Sequence, residues 1–302
     1  YSLRDIILPP DISSNMAKRS LSELADKVGV AFLIVIGTVY FAQGFRTVAQ
    51  LACMSYLKDD LQLEPAASQA MMSTALLPWS IKPIYGLLSD YFPLFGRRRK
   101  PYLVISGVLG TLSWALVSYV TSGTDDNAPT PWLLLVLFAI GNLSTAIADV
   151  IVDAMVAENS HGEDSIEDDL QSLCWKCMAV GGVCGSLVGG IALTNLGASS
   201  VFLMAAICPL MALVMSLILE EPTHIASNTR GKSWLTEMKL VFSHITSPTT
   251  FRVMAYLFFA NAISPSFGQI FYFYVTEELK FSNDFLSLVT IYMLLLLLMV
   301  VV

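Results

Sequence analysis

Long runs of apolar residues alternate with short polar segments along most of this chain. These runs predict membrane-crossing helices at Val28–Leu51, Ser68–Ser89, Tyr102–Thr121, Trp132–Val156, Leu170–Leu193, Val201–Leu219, Phe251–Val275 and from Phe285 onward. A helix rises about 1.5 Å per residue, so runs of this length can cross about 30 Å of hydrocarbon. The pattern therefore predicts an all-α integral membrane protein that crosses the bilayer several times.

The composition agrees with this prediction. Of 302 residues, 55% are hydrophobic and only 14% are charged, whereas soluble domains carry roughly 25% charged residues. The net charge of −7 and the dispersed basic residues give no sign of nucleic-acid binding. The lone Cys174-x-x-Cys177 pair is too little for a metal site, so the sequence predicts neither a metal nor a cofactor.

The block Arg97–Lys100 sets the orientation of the predicted helices. Four adjacent cations cannot lie in hydrocarbon, and by the positive-inside bias this loop faces the cytosol. The segments that are then internal hold most of the other basic residues, namely Arg4, Lys18, Arg19, Lys27, Arg230, Lys232, Lys239 and Arg252. External loops hold only Lys58 and Lys280. We therefore expect a cytosolic N-terminus.

The order of the runs predicts four regions. Residues 1–27 form a cytosolic tail that ends in a short amphipathic helix, 28–219 form a six-helix bundle, 220–250 form a cytosolic connector, and 251–302 begin a second bundle. Because the chain starts at Tyr1 and stops inside an apolar run, we expect a fragment or a truncated chain. A bundle, a long connector and further helices are typical of a two-bundle transporter.

Charged residues inside the predicted helices are the first candidates for function, because such charges are costly unless they are paired or hydrated. Lys82 could bind an anionic substrate, or it could extend to the interface or pair with Asp149. Arg46 shares one helical face with Gln43 and Gln50. That face could line a cavity, or Arg46 could reach the external interface.

Asp149 and Asp153 are four residues apart and lie on one face of their helix. Two neighbouring carboxylates favour protonation of one of them, which suits proton coupling. Alternatively, they could form ion pairs with Lys82, Lys176 or the cationic loop. The small residues Gly181, Gly185 and Gly189 repeat every four positions and predict close helix packing.

The segment from Lys82 to Tyr102 resembles the loop signature of the major facilitator superfamily, Gly-x-x-x-Asp followed by Gly-Arg-Lys/Arg. The gap between Asp90 and Gly96 is longer than in that signature, and in this respect the chain resembles the folate-biopterin transporter family. The resemblance extends over the first five predicted helices through Tyr40–Gly44, Lys58–Leu61, Leu77–Trp79, Lys82–Pro83, Tyr85–Gly86, Ser89–Asp90, Pro93–Gly96, Asp149–Asp153 and Leu170–Trp175.

This resemblance implies a major facilitator-type fold with one complete bundle and the first helices of a second. It implies transport of folates or pterins, coupled to protons as a symporter. It also implies a conformational-gating loop made of Gly86, Asp90, Gly96, Arg97, Arg98 and Arg99, in which Asp90 favours the inward-closed state. Substrate binding is then expected at Lys82, Arg46, Gln43 and Asp149, and proton coupling at Asp149 and Asp153.

Other functions remain open at this point. The chain could carry another organic solute, or it could be a truncated, non-transporting membrane interaction protein. An enzyme is not expected, because the sequence has no nucleotide-binding loop, HExxH motif or nucleophile elbow. The predicted partners are the lipid bilayer, a small-molecule substrate and H⁺, with no nucleic acid.

Overall fold

The computed structural model describes residues 21–123, 129–160, 164–219, 246–263, 267–282 and 285–292, together with 221, 239, 243 and 295. This part of the chain is helical and contains no β-strand beyond an isolated Leu94–Arg97 bridge. The helices are α1 (Leu21–Val28), α2 (Val30–Phe45), α3 (Thr47–Ser55), α4 (Pro65–Ala75), α5 (Lys82–Tyr91), α6 (Lys100–Thr121), α7 (Pro131–Asn159), α8 (Asp164–Ile218), α9 (Pro248–Ile263) and α10 (Gly268–Glu277). The all-α fold and the short helix before the first crossing are thus confirmed.

Within the described ranges, four helical stretches are long and apolar enough to cross a membrane: Val30–Asp60, Lys100–Thr121, Pro131–Asn159 and Ile166–Ile218. The first is longer than the predicted Val28–Leu51, because α3 continues into a π-helical turn at Tyr56–Asp60. The side chain of Ser55 bonds to Asp59 at 2.9 Å within this turn. Lys58 and its acidic neighbours therefore end a helix rather than form a separate loop.

Helix α8 contains two crossings that are joined at Gly197. That glycine has φ 78° and ψ 169°, a conformation that side chains with a Cβ rarely adopt. After it the chain runs back along α6, since Ser199 bonds to the Ser118 carbonyl at the end of α6 and Lys100 bonds to the Leu217 carbonyl at its start. The turn predicted at Asn195–Ser200 is therefore a kink at one residue.

Crossings that are consecutive along the chain alternate in direction. Helices α6 and α7 are antiparallel, because Ser113 bonds to the Leu137 carbonyl at 2.5 Å and Ser144 bonds to the Ser106 carbonyl at 2.7 Å. The first half of α8 runs parallel to α2 and α3. The end that carries Arg97–Lys100 is called the basic end below.

Glycines bring α8 against α2 and α3. A Cβ at Gly181 would lie 2.1 Å from the Phe41 carbonyl oxygen, and one at Gly185 would lie 2.5 Å from Thr47 Oγ1. From the other side, a Cβ at Gly44 would lie 1.9 Å from the Met178 oxygen. The close packing that the four-residue glycine repeat predicts is confirmed.

The outer surface of the helices is apolar, the reverse of a soluble bundle. On α6 the exposed side chains recur every three or four positions, at Ile105, Val108, Leu112, Leu116 and Tyr119. Such a stripe on one face fits contact with lipid. Multi-pass membrane insertion therefore follows from the surface as well as from the helix lengths.

The first two helices after the connector differ in packing. Most of α9 is exposed, whereas α10 buries Gln269, Tyr272, Phe273 and Val275. The backbone N–H of Gln269 donates to the Gln69 side chain at 3.0 Å, so α10 packs on α4 far from the basic end. Residues 1–20, most of the predicted 220–250 connector and most of 293–302 lie outside the described residues.

Candidate functional site

The second crossing is broken in its middle, and this break forms one wall of the candidate site. Pro78 and Pro83 cannot donate backbone hydrogen bonds, and a 3₁₀ turn at Leu77–Ile81 separates α4 from α5. The single helix predicted at Ser68–Ser89 is therefore two helices. Trp79 and Lys82 project from the turn and the start of α5 towards α7.

Lys82 forms an ion pair with Asp149 of α7. The other oxygen of Asp149 accepts a hydrogen bond from Gln43 of α2 at 2.8 Å. The Asp149 side chain is only 9% exposed, whereas that of Lys82 is 33% exposed. Of the alternatives that the sequence leaves open for Lys82, the structure shows the ion pair with Asp149. Part of the Lys82 side chain remains exposed.

Arg46 joins α2 to α3 and points to the same region of α7. Its Nη1 donates to Asn142 Oδ1 at 2.8 Å, and Trp79 Nε1 donates to the same oxygen at 3.2 Å. The guanidinium carbon lies 5.1 Å from the centre of the Trp79 ring. Among the described residues, no carboxylate lies within 4.0 Å of Arg46.

The predicted polar face of the first crossing borders two small cavities. Gln43 and Arg46 line one of about 40 Å³, and Arg46 and Gln50 line another of about 110 Å³. Arg46 therefore faces a cavity and does not extend to the interface. Together these residues form the site cluster, which consists of Gln43, Arg46, Trp79, Lys82, Asn142 and Asp149.

The site cluster has more positive than negative charge. It holds two cations, Arg46 and Lys82, and one carboxylate, Asp149. Charges inside a membrane protein are expensive without a counter-ion. The arrangement is therefore complementary to a bound anion.

Asp153 lies one turn from Asp149 but has a different partner. Tyr40 of α2 donates its hydroxyl to the Asp153 carboxylate, and Asp153 is exposed. Within the part of the chain that the structure describes, Asp153 forms no ion pair within 4.0 Å with Lys82, Lys176 or the cationic loop. Asp149 and Asp153 are therefore two carboxylates on one face with separate hydrogen-bond partners.

A second set of charges ties the helix ends together at the basic end. Arg99 pairs with Asp90 at 2.7 Å and with Glu158 at 2.5 Å, and it also donates to Ser89 Oγ. The Glu221 carboxylate accepts from the backbone N–H groups of residues 98–100 at the start of α6, where the helix dipole favours a negative charge. This basic-end cluster consists of Ser89, Asp90, Arg99, Glu158 and Glu221.

The remaining residues of the predicted gating loop have smaller parts in this cluster. Gly96 takes φ 73° in the tight turn before Arg97 and Arg98, which are half-buried, whereas Arg99 is buried. Burial lowers the pKa of Arg99, but its hydrogen bond and charge interaction with Glu158, and those with Asp90, more than offset this and raise it. A Cβ at Gly86 would lie 3.5 Å from Val150 Cγ1 of α7, an ordinary van der Waals distance.

Several site residues had not been singled out from the sequence. Trp79 and Tyr40 stood only within stretches of the family resemblance, and Asn142, Glu158 and Glu221 had no assigned role. Asn142 could have been found by its position, because it lies seven residues before Asp149, two helical turns along the same face. Glu158 and Glu221 could not have been found from the sequence, because a carboxylate in a polar loop is usually solvated.

Comparison with known proteins agrees with the sequence motifs. The sequence model of the BT1 family matches residues 43–302. "Probable folate-biopterin transporter 4" of Arabidopsis thaliana is 35% identical over 88% of this chain and 66% of its own length. "Folate-biopterin transporter" of Synechocystis sp. is 35% identical over 84% of this chain and 50% of its own length. "Folate transporter 1" of Plasmodium falciparum is 28% identical over 81% of this chain and 46% of its own length.

The chain spans about half to two thirds of the length of these relatives. Their names are those of transporters, in agreement with the prediction that the chain is not an enzyme. The resemblance that the motifs between Tyr40 and Trp175 carry is confirmed by the family match.

Proposed function

The chain belongs to the BT1 family, and on that premise we propose that it forms part of a secondary transporter of folates or pterins. The observation that carries the proposal is the charge of the site cluster: two cations, Arg46 and Lys82, and one carboxylate, Asp149, in the membrane interior. Folates carry carboxylates beside a flat heteroaromatic ring. A carboxylate bound to the two cations would neutralise the excess charge through charge-assisted hydrogen bonds.

In this proposal Lys82 and Arg46 bind the anionic part of the substrate, and Gln43 and Asp149 complete the site. Lys82 is already paired with Asp149, so an incoming carboxylate competes with Asp149 for Lys82. Protonation of Asp149 would release Lys82 to the substrate, which couples a proton to uptake. Asp153, one turn nearer the basic end and exposed, is the proposed route by which the proton reaches Asp149.

The proposed architecture is of the major facilitator type. Residues 28–219 form the first six-helix bundle, 220–250 the connector and 251–302 the start of the second bundle, with a cytosolic tail at 1–27. The alternating crossings and the basic residues collected at one end support this arrangement with the basic end in the cytosol. Alternating access follows from two such bundles moving about a central site.

The gating loop has a conformational role in this scheme. Arg99 ties α5 to α7 through Asp90 and Glu158, and Glu221 holds the start of α6. These contacts keep the basic ends of neighbouring crossings together. We propose that they move as one unit when the site opens to either side of the membrane.

Uptake of labelled folate by vesicles that carry the full-length protein tests the proposal. We expect faster uptake at an external pH of about 5.5 than at about 7.5, where carboxylates are less protonated, and loss of the difference with a protonophore. Vesicles with the Lys82→Met variant serve as the control. Absence of uptake at either pH by inserted wild-type protein would contradict the proposal.

A carrier of another organic anion is the second candidate. The charge of the site cluster favours an anion but does not by itself require a pteridine ring. Unlabelled organic anions that lack the ring are therefore included as competitors. Displacement of folate by such an anion at equal concentration would favour the broader specificity.

A further inference from the structure

Both cations of the site cluster converge on one aromatic side chain, Trp79. Lys82 Nζ lies 4.5 Å from the centre of its ring, and Arg46 Cζ lies 5.1 Å from it. These distances are within the range of cation–π attraction.

The orientation of the indole is fixed by α7. Its Nε1 donates to Asn142 Oδ1 at 3.2 Å, and Asn142 Nδ2 in turn donates to the Phe138 carbonyl at 2.9 Å. The 3₁₀ turn at Leu77–Ile81 places this ring beside the ion pair of Lys82. Trp79 is half-buried, so part of its surface is accessible to a ligand.

Trp114, the other tryptophan near Arg46, is different. It lines both cavities, but its ring packs against Phe138 and Phe202, with centroids 5.9 Å and 6.1 Å away, and it is buried. Trp114 therefore belongs to the core. Trp79 lines neither cavity, but it keeps part of its surface exposed beside Lys82.

We propose that Trp79 determines the specificity of the site for substrates that carry a pterin ring. When a carboxylate draws Arg46 and Lys82 towards itself, the Trp79 ring exchanges its cation contacts for stacking on the substrate ring. Arg46 and Lys82 then select for the charge, and Trp79 selects for the ring. This inference rests on the proposed function of the site cluster as an anion site.

A purely structural role makes a different prediction. If Trp79 only held Arg46 and Lys82 in place, its loss would weaken the binding of every anion to the same degree. If it stacks on the pterin ring, its loss weakens only ligands that have that ring. The ratio of two dissociation constants separates these cases.

The experiment measures binding of folic acid and of p-aminobenzoylglutamate to the purified full-length protein. The second ligand keeps both carboxylates and lacks the pterin. We expect Trp79→Leu to weaken folic acid about tenfold, in the range found for one base stacked on an aromatic side chain, and to change p-aminobenzoylglutamate less than about threefold. Trp79→Phe, which keeps an aromatic face, should retain most of the preference.

The matched control is Trp132→Leu, since Trp132 lies at the start of α7 and is 72% exposed. It should leave both dissociation constants unchanged. Equal weakening of the two ligands in Trp79→Leu, or no weakening of either, would overturn the specificity role while leaving the anion site standing. If the wild-type protein binds neither ligand, the anion site itself is overturned and, with it, this inference.

Discussion

The site cluster and the basic-end cluster draw on the same two helices, α5 and α7, yet they differ in their balance of charge. At the basic end one buried guanidinium, Arg99, meets two carboxylates, Asp90 and Glu158. In the membrane interior two cations share Asp149. The first arrangement satisfies its charge within the protein, which suits a structural tie. The second leaves positive charge unneutralised, which suits a ligand.

The two clusters also differ in their contact with water. Asp90 and Glu158 have side chains that are 45% and 52% exposed, so their ion pairs are screened and individually modest. Asp149 is nearly buried, and its pair with Lys82 is correspondingly less screened. Substitutions in the site cluster should therefore affect binding, and substitutions in the basic-end cluster should affect conformational change.

The largest effect is expected from Lys82. Lys82→Met removes the cation that binds the substrate, and we expect folate uptake to fall at least about a hundredfold, as is typical of a buried charged contact. Membrane insertion should be retained. Because the single change leaves Asp149 without its counter-ion, the double variant Lys82→Met with Asp149→Asn serves as the control for folding. Near-normal uptake by either variant would contradict a substrate-binding role.

A smaller effect is expected from Arg46. Arg46→Gln keeps a donor for Asn142 but removes the second positive charge, and we expect folic acid to bind about tenfold more weakly, the loss of one charge-assisted contact. Lys176→Gln is the matched control, since Lys176 is also a half-buried cation within a crossing but lies outside the site cluster. Equal losses in the two variants would show that net charge, rather than the cluster, determines binding.

Arg99 should affect transport more than binding. Arg99→Ala breaks its pairs with Asp90 and Glu158, and we expect a severalfold lower transport rate with less than about a threefold change in folic acid affinity, because exposed pairs contribute only about 1 kcal/mol. Arg99→Lys should recover part of the rate. Because its partners raise the pKa of Arg99, the guanidinium stays charged and these pairs should not weaken as pH rises to neutral or mildly basic values. A tenfold loss of affinity in Arg99→Ala would remove the distinction between the clusters.

Much of the site cluster could be predicted from the sequence, because charged side chains are rare and costly in hydrocarbon. A charged or amide side chain inside an apolar run stands out, and this identified Gln43, Arg46, Lys82 and Asp149. The structure brings these four residues into one cluster across three crossings. The glycine repeat that includes Gly181 predicted close helix packing in the same way, because closely packed helices carry small residues at regular spacing.

What the sequence could not predict were partners and breaks. The run Ser68–Ser89 is largely apolar, so the 3₁₀ turn around Pro78 was read as helix, although its prolines could have marked it. Tyr40 is a neutral residue whose role depends on its contact with Asp153, which is distant in sequence. Glu221 follows the sixth crossing, and only the three-dimensional arrangement brings its carboxylate to the start of α6.

The most direct test of the site cluster as an anion site is the pH dependence of folic acid binding to the wild type and to Asp149→Asn. The groups that face Asp149 are Lys82 from α5, Gln43 from α2 and, more distantly, Arg46 and Asp153. If substrate and Asp149 compete for Lys82, and a proton taken up on binding relieves that competition, wild-type affinity should rise as pH falls. Asp149→Asn should bind tightly with little dependence on pH. Wild-type binding that is independent of pH, or loss of binding in Asp149→Asn, would contradict the account.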